Sequence, residues 1–445
     1  MTQDSLRTAL LTARVPRYSS YPPADRFTAE VGAGAKDAWL RAIPAGSAVS
    51  IYVHVPFCRR LCWFCACRTQ GTRKDEPLDR FLEHLEVEIA ATRARLPEGV
   101  EVSSLHLGGG TPTLLSPDRI DRITAMLGEA FPTGSAQEVS VEVDPCEFDA
   151  PRRDALVRMG LSRAFIGVQD SDPMVQAAIG REQSAEQTTA AVRLLRQGGV
   201  ESISFDLLYG LPYQTEARLL RTVDTVLSLG PERVAVYGYA HVPWVARRQK
   251  LIPEVALPSP EARFAQADLA RTRLVSAGYV PVGIDHFARP GDSLVKAAES
   301  GGLRRNFQGY TTDTAPVLLG LGPSAISRLP QGYVQNAPAS DAWQRAVRAR
   351  GLPAARGIAL TAETAAVAAV IERLMCEGAA DLAAFDVPQA EALMTTAGEA
   401  LAQYPGAGLM DGSVLRLSTF AAARLVAHVF DRGGDATAAR YSPAC

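Results

Sequence analysis

The chain has 445 residues, 47% of them hydrophobic and 21% charged, so a large buried core is expected and disorder is not. Lys and Arg number 46 against 48 Asp and Glu, a formal charge of −2, which argues against a broad nucleic-acid surface because such a surface needs a basic face. No run approaches the ~20 apolar residues of a membrane helix, and the first residues lack the apolar core of a signal peptide, so a cytoplasmic location is expected.

Residues 1–45 carry weak periodicity and are expected to form an N-terminal arm. Within them VPRYSSYPPADRF reads as extended chain, because Pro, Tyr and Ser interrupt any helical pattern. From residue 50 short β-branched runs alternate with helical patterns. The predicted strands are SIYVHVPF (50–57), SSLHLGG (103–109), EVSVEVDP (138–145), RAFIGVQ (163–169), SISFDLLYG (202–210) and RVAVYGYA (233–240), with a further one at YVPVGIDHF (279–287). Helical segments such as DRFLEHLEVEIAATRARL and AEQTTAAVRLLRQGG lie between them. Strand and helix alternating every ~30–50 residues is the signature of βαβ units and a parallel sheet. Six or seven units predict an α/β fold, a partial (β/α)6 TIM-like barrel over residues 46–340, since a closed barrel needs eight. Beyond it, Ala-rich segments such as LTAETAAVAAVIERLMCEGA predict a mainly helical C-terminal domain over 341–445, with a short strand pair near GLMDGSVLRL. Polar residues recur at the C-terminal ends of the predicted strands, the rim where parallel α/β folds bind ligands.

Four of the seven cysteines fall between Cys58 and Cys67, in HVPFCRRLCWFCAC (54–67). In a cytosolic chain that density points to a metal or a cluster rather than to disulfides. Thiolates are soft donors, and iron–sulfur clusters are usually held by four of them. Three thiolates, Cys58, Cys62 and Cys65, would leave one iron of a 4Fe-4S cluster open to a small molecule that offers an amine and a carboxylate, as S-adenosylmethionine does. The competing readings are a structural zinc, with Cys67 or His54 as fourth ligand, and four unliganded buried thiols. Zinc loops usually pair C-x2-C knuckles from two places, and chance clustering is improbable.

The run LGGGTPT (107–113) directly follows a predicted strand. Its glycines let the backbone approach a ligand and present amide donors suited to a carboxylate. An ordinary strand-to-helix turn is the alternative. The third set is Glu142 in VEVDP, Gln169 in GVQD, Arg181 in REQ and Asp206 in DLLYGLP, each late in a strand or beyond its end. Rim carboxylates accept a ribose diol or an ammonium, and Arg pairs with a carboxylate at two points. Each alone reads equally well as a solvated or ion-paired residue; their recurrence on successive units favours binding. His84 and His428 read as packing residues, His106 and His286 as either packing or functional, and Cys146, Cys376 and Cys445 as free thiols.

Together these residues resemble the radical S-adenosylmethionine enzymes, and among them the oxygen-independent coproporphyrinogen III oxidases of haem biosynthesis. The resemblance is carried by PRYSSYP, YVHVPFCRRLCWFCAC, GGGTPT, VEVDP, GVQD with REQ, DLLYGLP, YAHVP, GIDHFARP, RRNFQGYTT, GPSAIS and RGIAL, and it spans nearly the whole chain from about residue 16. It implies that Cys58, Cys62 and Cys65 ligate the cluster and that two S-adenosylmethionine molecules bind. Tyr52, Gly109, Glu142 and Ile326 would line the first, and Phe64, Gly110, Thr111, Gln169, Arg181, Asp206 and Ala240 the second. Tyr52 and Glu142 are the expected catalytic residues. The substrate implied is coproporphyrinogen III, two of whose propionates become vinyl groups by radical hydrogen abstraction and loss of carbon dioxide. The substrate's four carboxylates call for cationic partners, for which Arg17, Arg289, Arg304 and Arg305 are candidates. An electron donor such as flavodoxin or ferredoxin, an unidentified acceptor and a monomeric state complete the expectation, with the arm around Arg17–Pro22 as a lid. A haem-binding chaperone and a radical methyltransferase or cyclopropanase are the alternatives on the same scaffold.

Overall fold

The computed structural model describes residues 2–18, 21–131, 138–307 and 309–431. Its backbone is built on twelve strands of one open sheet: β1 (Ala48–Val55), β2 (Glu101–Gly109), β3 (Glu138–Val143), β4 (Arg163–Gln169), β5 (Ser202–Tyr209), β6 (Arg233–Gly238), β7 (Val280–Val282), β8 (His286–Ala288), β9 (Val317–Leu321), β10 (Ile326–Leu329), β11 (Gly332–Asn336) and β12 (Ala354–Ala359). Their order across the sheet is β12-β11-β10-β9-β1-β2-β3-β4-β5-β6-β8-β7. Strands β1 to β6 lie side by side in chain order, all parallel. At least one helix follows each of them, from Glu76–Arg93 after β1 to Pro260–Ser276 after β6. This is a partial (β/α)6 barrel that continues past β6 as antiparallel strands and past β1 as the parallel β9 followed by antiparallel strands.

The strands form where β-branched and aliphatic residues are covered on both faces, as in Val49, Ile51, Val53 and Val55 of β1, each essentially inaccessible. The helices between begin at side-chain caps. Ser184 and Gln187 make a reciprocal capping box for helix Ala185–Gln197, and Asp149 and Thr215 each accept from the first turn of the next helix. Their apolar faces pack onto the sheet in one large core that runs from Leu40 to Ala354.

Two expectations are corrected. YVPVGIDHF is not one strand but two antiparallel ones, because Gly283 turns the chain at φ +61 between β7 and β8. The sequence reading also lacks β9, which runs parallel to β1 on its far side, with Tyr52 in register with Gly320. All five residues of β9 are buried, so the strand shows no alternation that periodicity could detect.

The sheet takes β12 from residues 354–359, beyond the boundary expected at 340. Helices Ala362–Glu377, Val387–Gln403 and Ala423–Phe430 follow, with a small three-stranded sheet that includes the expected pair Gly408–Asp411 and Val414–Leu417. The N-terminal segment holds helices Thr2–Thr12 and Ala33–Arg41, and between them a 3-10 turn at Ala24–Arg26. Leu6, Leu10, Val15, Tyr18 and Tyr21 share a second core with Val370, Leu374, Leu425 and Val426. Among the described residues no helix is long and apolar enough to cross a membrane.

Candidate active site

The cysteine loop leaves the C-terminal end of β1. Phe57–Cys58 pairs with Gln70–Gly71, which closes the loop on itself. Trp63 donates its backbone N–H to Ile179 O at 2.8 Å, tying the loop to the segment after β4. Arg248 Nη2 reaches Thr69 O at 2.9 Å, and the buried Gln249 side chain donates to the carbonyls of both Phe64 and Ala240, at 2.8 and 2.9 Å. These contacts hold Cys58, Cys62 and Cys65 together, half-buried, over the rim.

Burial, opposed by the Thr111 hydroxyl and reinforced by the Cys65 and Cys62 thiols, pushes the Cys58 thiol up to about 11. Cys65 goes the other way, down to about 6, because the Cys67 thiol donates to it; the same bond raises Cys67. The backbone N–H of Cys67 also points at Cys65 Sγ, at 3.4 Å. Arg181 Nη1 lies 3.5 Å from Cys62 Sγ. Three mutually close thiols with N–H and guanidinium donors around them fit a cluster carrying thiolate charge. Among the described residues no three His, Cys, Asp or Glu side chains are arranged to hold a single metal ion. A four-iron cluster takes its thiolates at separate corners.

Next to the loop, the glycine run approaches the backbone of β1 closely. Gly110 N donates to Val55 O at 2.9 Å and Thr111 N to Phe57 O at 2.8 Å. A Cβ on Gly110 would stand 2.5 Å from Phe57 O, and one on Gly109, at φ +105, would overlap the His54 ring. Only glycine fits either place. Gly109 N donates to Glu142 Oε2 at 3.0 Å. Glu142 lies 3.7 Å from His106 Nε2, and His106 in turn bonds Ser140 Oγ at 2.7 Å and stacks on Tyr52. Tyr52 Oη is 2.9 Å from His54 Nδ1. His54 Nε2 faces the Arg68 carbonyl at 3.1 Å, so this nitrogen carries the proton. Burial lowers the His54 pKa, the ring is neutral, and Nδ1 therefore accepts from the Tyr52 hydroxyl.

On β4 and β5 the register shifts at Gly167–Gln169, and Gln169 sits at φ +67, rare for a residue with a side chain. Arg181 lies beyond the short helix Pro173–Ala178 rather than directly after a strand. Its Nη2 donates to Gly167 O at 2.8 Å, its nearest carboxylate is Asp144 at 3.9 Å, and its Nε is buried without a partner. Asp206, in register with Gly167, is pushed up to about 7 by burial and by the Glu142 carboxylate, against the pull of Arg181. Glu142, Asp206 and His106 line a lumen of about 80 Å3 together with Phe165, Tyr237, His286 and Tyr310. Ile326 stands at the start of β10, its backbone packed on Gly320 beside Tyr52.

The structure thus brings Tyr52, Gly109, Gly110, Thr111, Glu142, Gln169, Arg181 and Asp206 to the barrel end that carries the cysteines, with Phe64 and Ala240 joined through Gln249. Sequence reasoning missed Arg248 and Gln249, which hold the cysteine loop, and the pairing of His54 and His106 with Tyr52. His106 and His286, left open by sequence, both face the lumen. His84 is a packing residue, bonded within its helix to Arg80 O, and His428 bonds Tyr18 Oη. Arg289 is corrected as a substrate partner: it binds Pro231 O and stacks on Tyr279 at the N-terminal edge of β6, the end opposite the cysteines. Arg304 bonds the nearby carbonyls of Gly301 and Leu303. Cys445, with Ser19 and Ser20 of the expected lid, lies outside the described residues.

Residues 52–226 match the family model of the Radical SAM superfamily, the class that this rim and barrel define. The oxygen-independent coproporphyrinogen III oxidase of Paracoccus denitrificans is 52% identical over 83% of this chain and 82% of its own length. The enzyme of the same name from Cereibacter sphaeroides is 48% identical over 95% of both. A solved structure of the Escherichia coli coproporphyrinogen III oxidase, described as a radical SAM enzyme, superposes with a TM-score of 0.89 at 35% identity, covering 94% of this chain and 98% of that one. The chain belongs to the family of oxygen-independent coproporphyrinogen III oxidases.

Proposed function

We propose that this chain converts two propionates of coproporphyrinogen III to vinyl groups without oxygen, giving protoporphyrinogen IX, as a radical S-adenosylmethionine oxidoreductase of haem biosynthesis. The observation that carries the reading is the meeting of three thiols, a glycine cradle and a pair of rim carboxylates at one barrel end. Cys58, Cys62 and Cys65 hold a 4Fe-4S cluster, and two S-adenosylmethionine molecules bind beside it. A cluster held by these thiolates would supply the one-electron reducing power that radical chemistry on S-adenosylmethionine needs.

The chain's own residues bind, orient and shield. Gly109 and Gly110 let the rim fold tightly against His54 and the carbonyls of Val55 and Phe57, and Glu142, fixed by Gly109 N–H, presents its remaining carboxylate capacity to an ammonium or ribose hydroxyl. Tyr52 is locked by His54 and stacked on His106, so its ring forms a rigid wall next to Glu142. Together with Ile326 these line the first S-adenosylmethionine. Phe64, Gly110, Thr111, Gln169, Arg181, Asp206 and Ala240 line the second. Arg181, with an unused buried donor, offers its guanidinium to a carboxylate. Phe165, Tyr237 and Tyr310 add rigid rings to the otherwise polar lining of the lumen, leaving few mobile C–H groups for a carbon radical to attack. The partners on this reading are the tetrapyrrole and a one-electron donor such as flavodoxin or ferredoxin, in the cytoplasm.

The test is anaerobic reconstitution with iron and sulfide, followed by reduction and addition of S-adenosylmethionine and coproporphyrinogen III. Products lighter by two carboxyl groups, formed with methionine and 5′-deoxyadenosine, support the reading. A product heavier by a methyl or methylene, or tight haem binding without turnover, refutes it.

A further inference from the structure

Beyond the rim, two arginines from distant parts of the chain converge on one carboxylate, and a third lies within electrostatic reach of them. Asp285, just before β8, is buried, with its side chain 6% exposed. Arg305, from the short strand Arg304–Asn306, reaches within 4.0 Å of its Oδ1, and Arg424, on helix Ala423–Phe430, within 3.5 Å of its Oδ2. Arg17, from the N-terminal segment, donates through Nη2 to Gly238 O at the C-terminal end of β6, at 2.6 Å. Burial and then the charge of Arg424 bring Arg17 down to about 10, with Asp285 the carboxylate that opposes them.

This cluster is out of balance. Other arginines hold a carboxylate close, as Arg233 has Asp292 at 2.9 Å and Arg26 has Asp431. Here Arg305 and Arg424 both reach Asp285, which already accepts from His286 Nδ1 at 2.8 Å. Two nitrogens of the cluster, Arg17 Nε and Arg305 Nη1, are buried with no hydrogen-bond partner. Excess buried positive charge and unused donors are costly, and an incoming anion relieves both. A clamp serving only to join segments would need neither.

The cluster also borders three cavities. His286 and Tyr310, which pack against Asp285 and Arg305, wall the lumen that holds Glu142 and Asp206. Arg305 faces a second cavity of about 320 Å3 walled by Tyr18, Tyr21 and Tyr333. Asp285 and Arg424 face a third, of about 460 Å3.

We propose that Arg17, Arg305 and Arg424 anchor propionate carboxylates of the tetrapyrrole, so that a neighbouring propionate is presented to the lumen. The inference rests on the function proposed above and assigns its substrate-binding residues. The test titrates the reconstituted full-length protein, under anaerobic conditions, with coproporphyrin III, the stable oxidised analogue with four carboxylates, and with mesoporphyrin IX, which has two. The wild type is expected to prefer coproporphyrin III by about tenfold or more, the scale of one charge-assisted contact. R305Q and R17Q are each expected to weaken coproporphyrin III binding by about tenfold and to narrow the preference, while R305K retains part of both. Thermal melting of the same samples separates damage to the fold. Unchanged affinity and preference in R305Q and R17Q overturns the anchor, as does a destabilised variant that keeps both. Absence of coproporphyrin III binding by the wild type would instead refute the functional reading itself.

Discussion

The two ends of the same six strands follow opposite rules. At the N-terminal end the arginines of the strands meet counter-charges of the protein. Arg163 pairs with Glu138 at 3.0 Å, Arg233 with Asp292 at 2.9 Å, and Asp313 collects the hydroxyls of Ser50, Ser103 and Ser104. At the C-terminal end Glu142 and Asp206 repel each other, Arg181 has its nearest carboxylate at 3.9 Å, and three thiols crowd one loop. The difference teaches that the first end is complete as folded, while the second is organised around groups the chain does not itself supply. Mutations at the two ends therefore separate stability from function.

The largest effect is expected at the cysteines. Replacing Cys58, Cys62 or Cys65 by Ser should abolish cluster retention and cleavage of S-adenosylmethionine to background while melting temperature in the cluster-free state stays near wild type, as iron and sulfide content, product analysis and calorimetry would record. A Cys62→Ser protein with full iron content and full cleavage breaks the comparison. Next, Glu142→Ala removes the acceptor of Gly109 N–H and a rim carboxylate. It is expected to weaken S-adenosylmethionine binding by roughly tenfold to a hundredfold, since a hydrogen bond to a charged group is worth ~1.5–3 kcal/mol. Equilibrium dialysis reads this out.

At the opposite end the readout reverses. Asp292→Ala strips Arg233 of its partner where both side chains are under a tenth exposed, and also uncaps helix Ser293–Glu299. Breaking such a buried pair costs ~3–5 kcal/mol. Denaturant midpoints should fall accordingly with S-adenosylmethionine affinity unchanged. The smallest effect is a pH dependence. The folded pKa of Asp206 is raised from 3.8 to about 7, so the folded state holds a proton that the unfolded state has lost. Stability of the ligand-free protein falls as pH rises from about 4 to about 7. Asp206→Asn removes this slope, and melting curves of the two proteins across that window should diverge most at the upper end.

Much of this was legible in the sequence where residues obey a period or a short motif. The six parallel strands alternate with amphipathic helices, and RAFIGVQ is found as read, residues 163–169. The cysteine loop and the glycine run announce themselves by spacing, and their positions at strand ends follow from parallel topology. What escaped has a common cause in long-range packing. Strand β9 is buried on both faces and loses its alternation. Helix Thr2–Thr12 buries Leu6 and Leu10 against a core supplied from residues after 365, which its own pattern does not reveal. Gln249 meets the Phe64 carbonyl across more than 180 residues of chain, and Arg424 meets Asp285 across nearly 140, so neither stands out in sequence. Arg289 misled because strand β8 lies within its motif, GIDHFARP, and carries the chain to the far end of the sheet, leaving Asp285 and Arg289 in different surroundings.

The most direct test of the rim is spectroscopic. The anaerobically reconstituted, reduced protein should contain iron and sulfide in equal amounts, with an electron paramagnetic resonance signal that changes when S-adenosylmethionine is added, because one iron lacks a cysteine and takes the ligand. A preparation that binds zinc without iron or sulfide, or a signal indifferent to S-adenosylmethionine, would contradict the account.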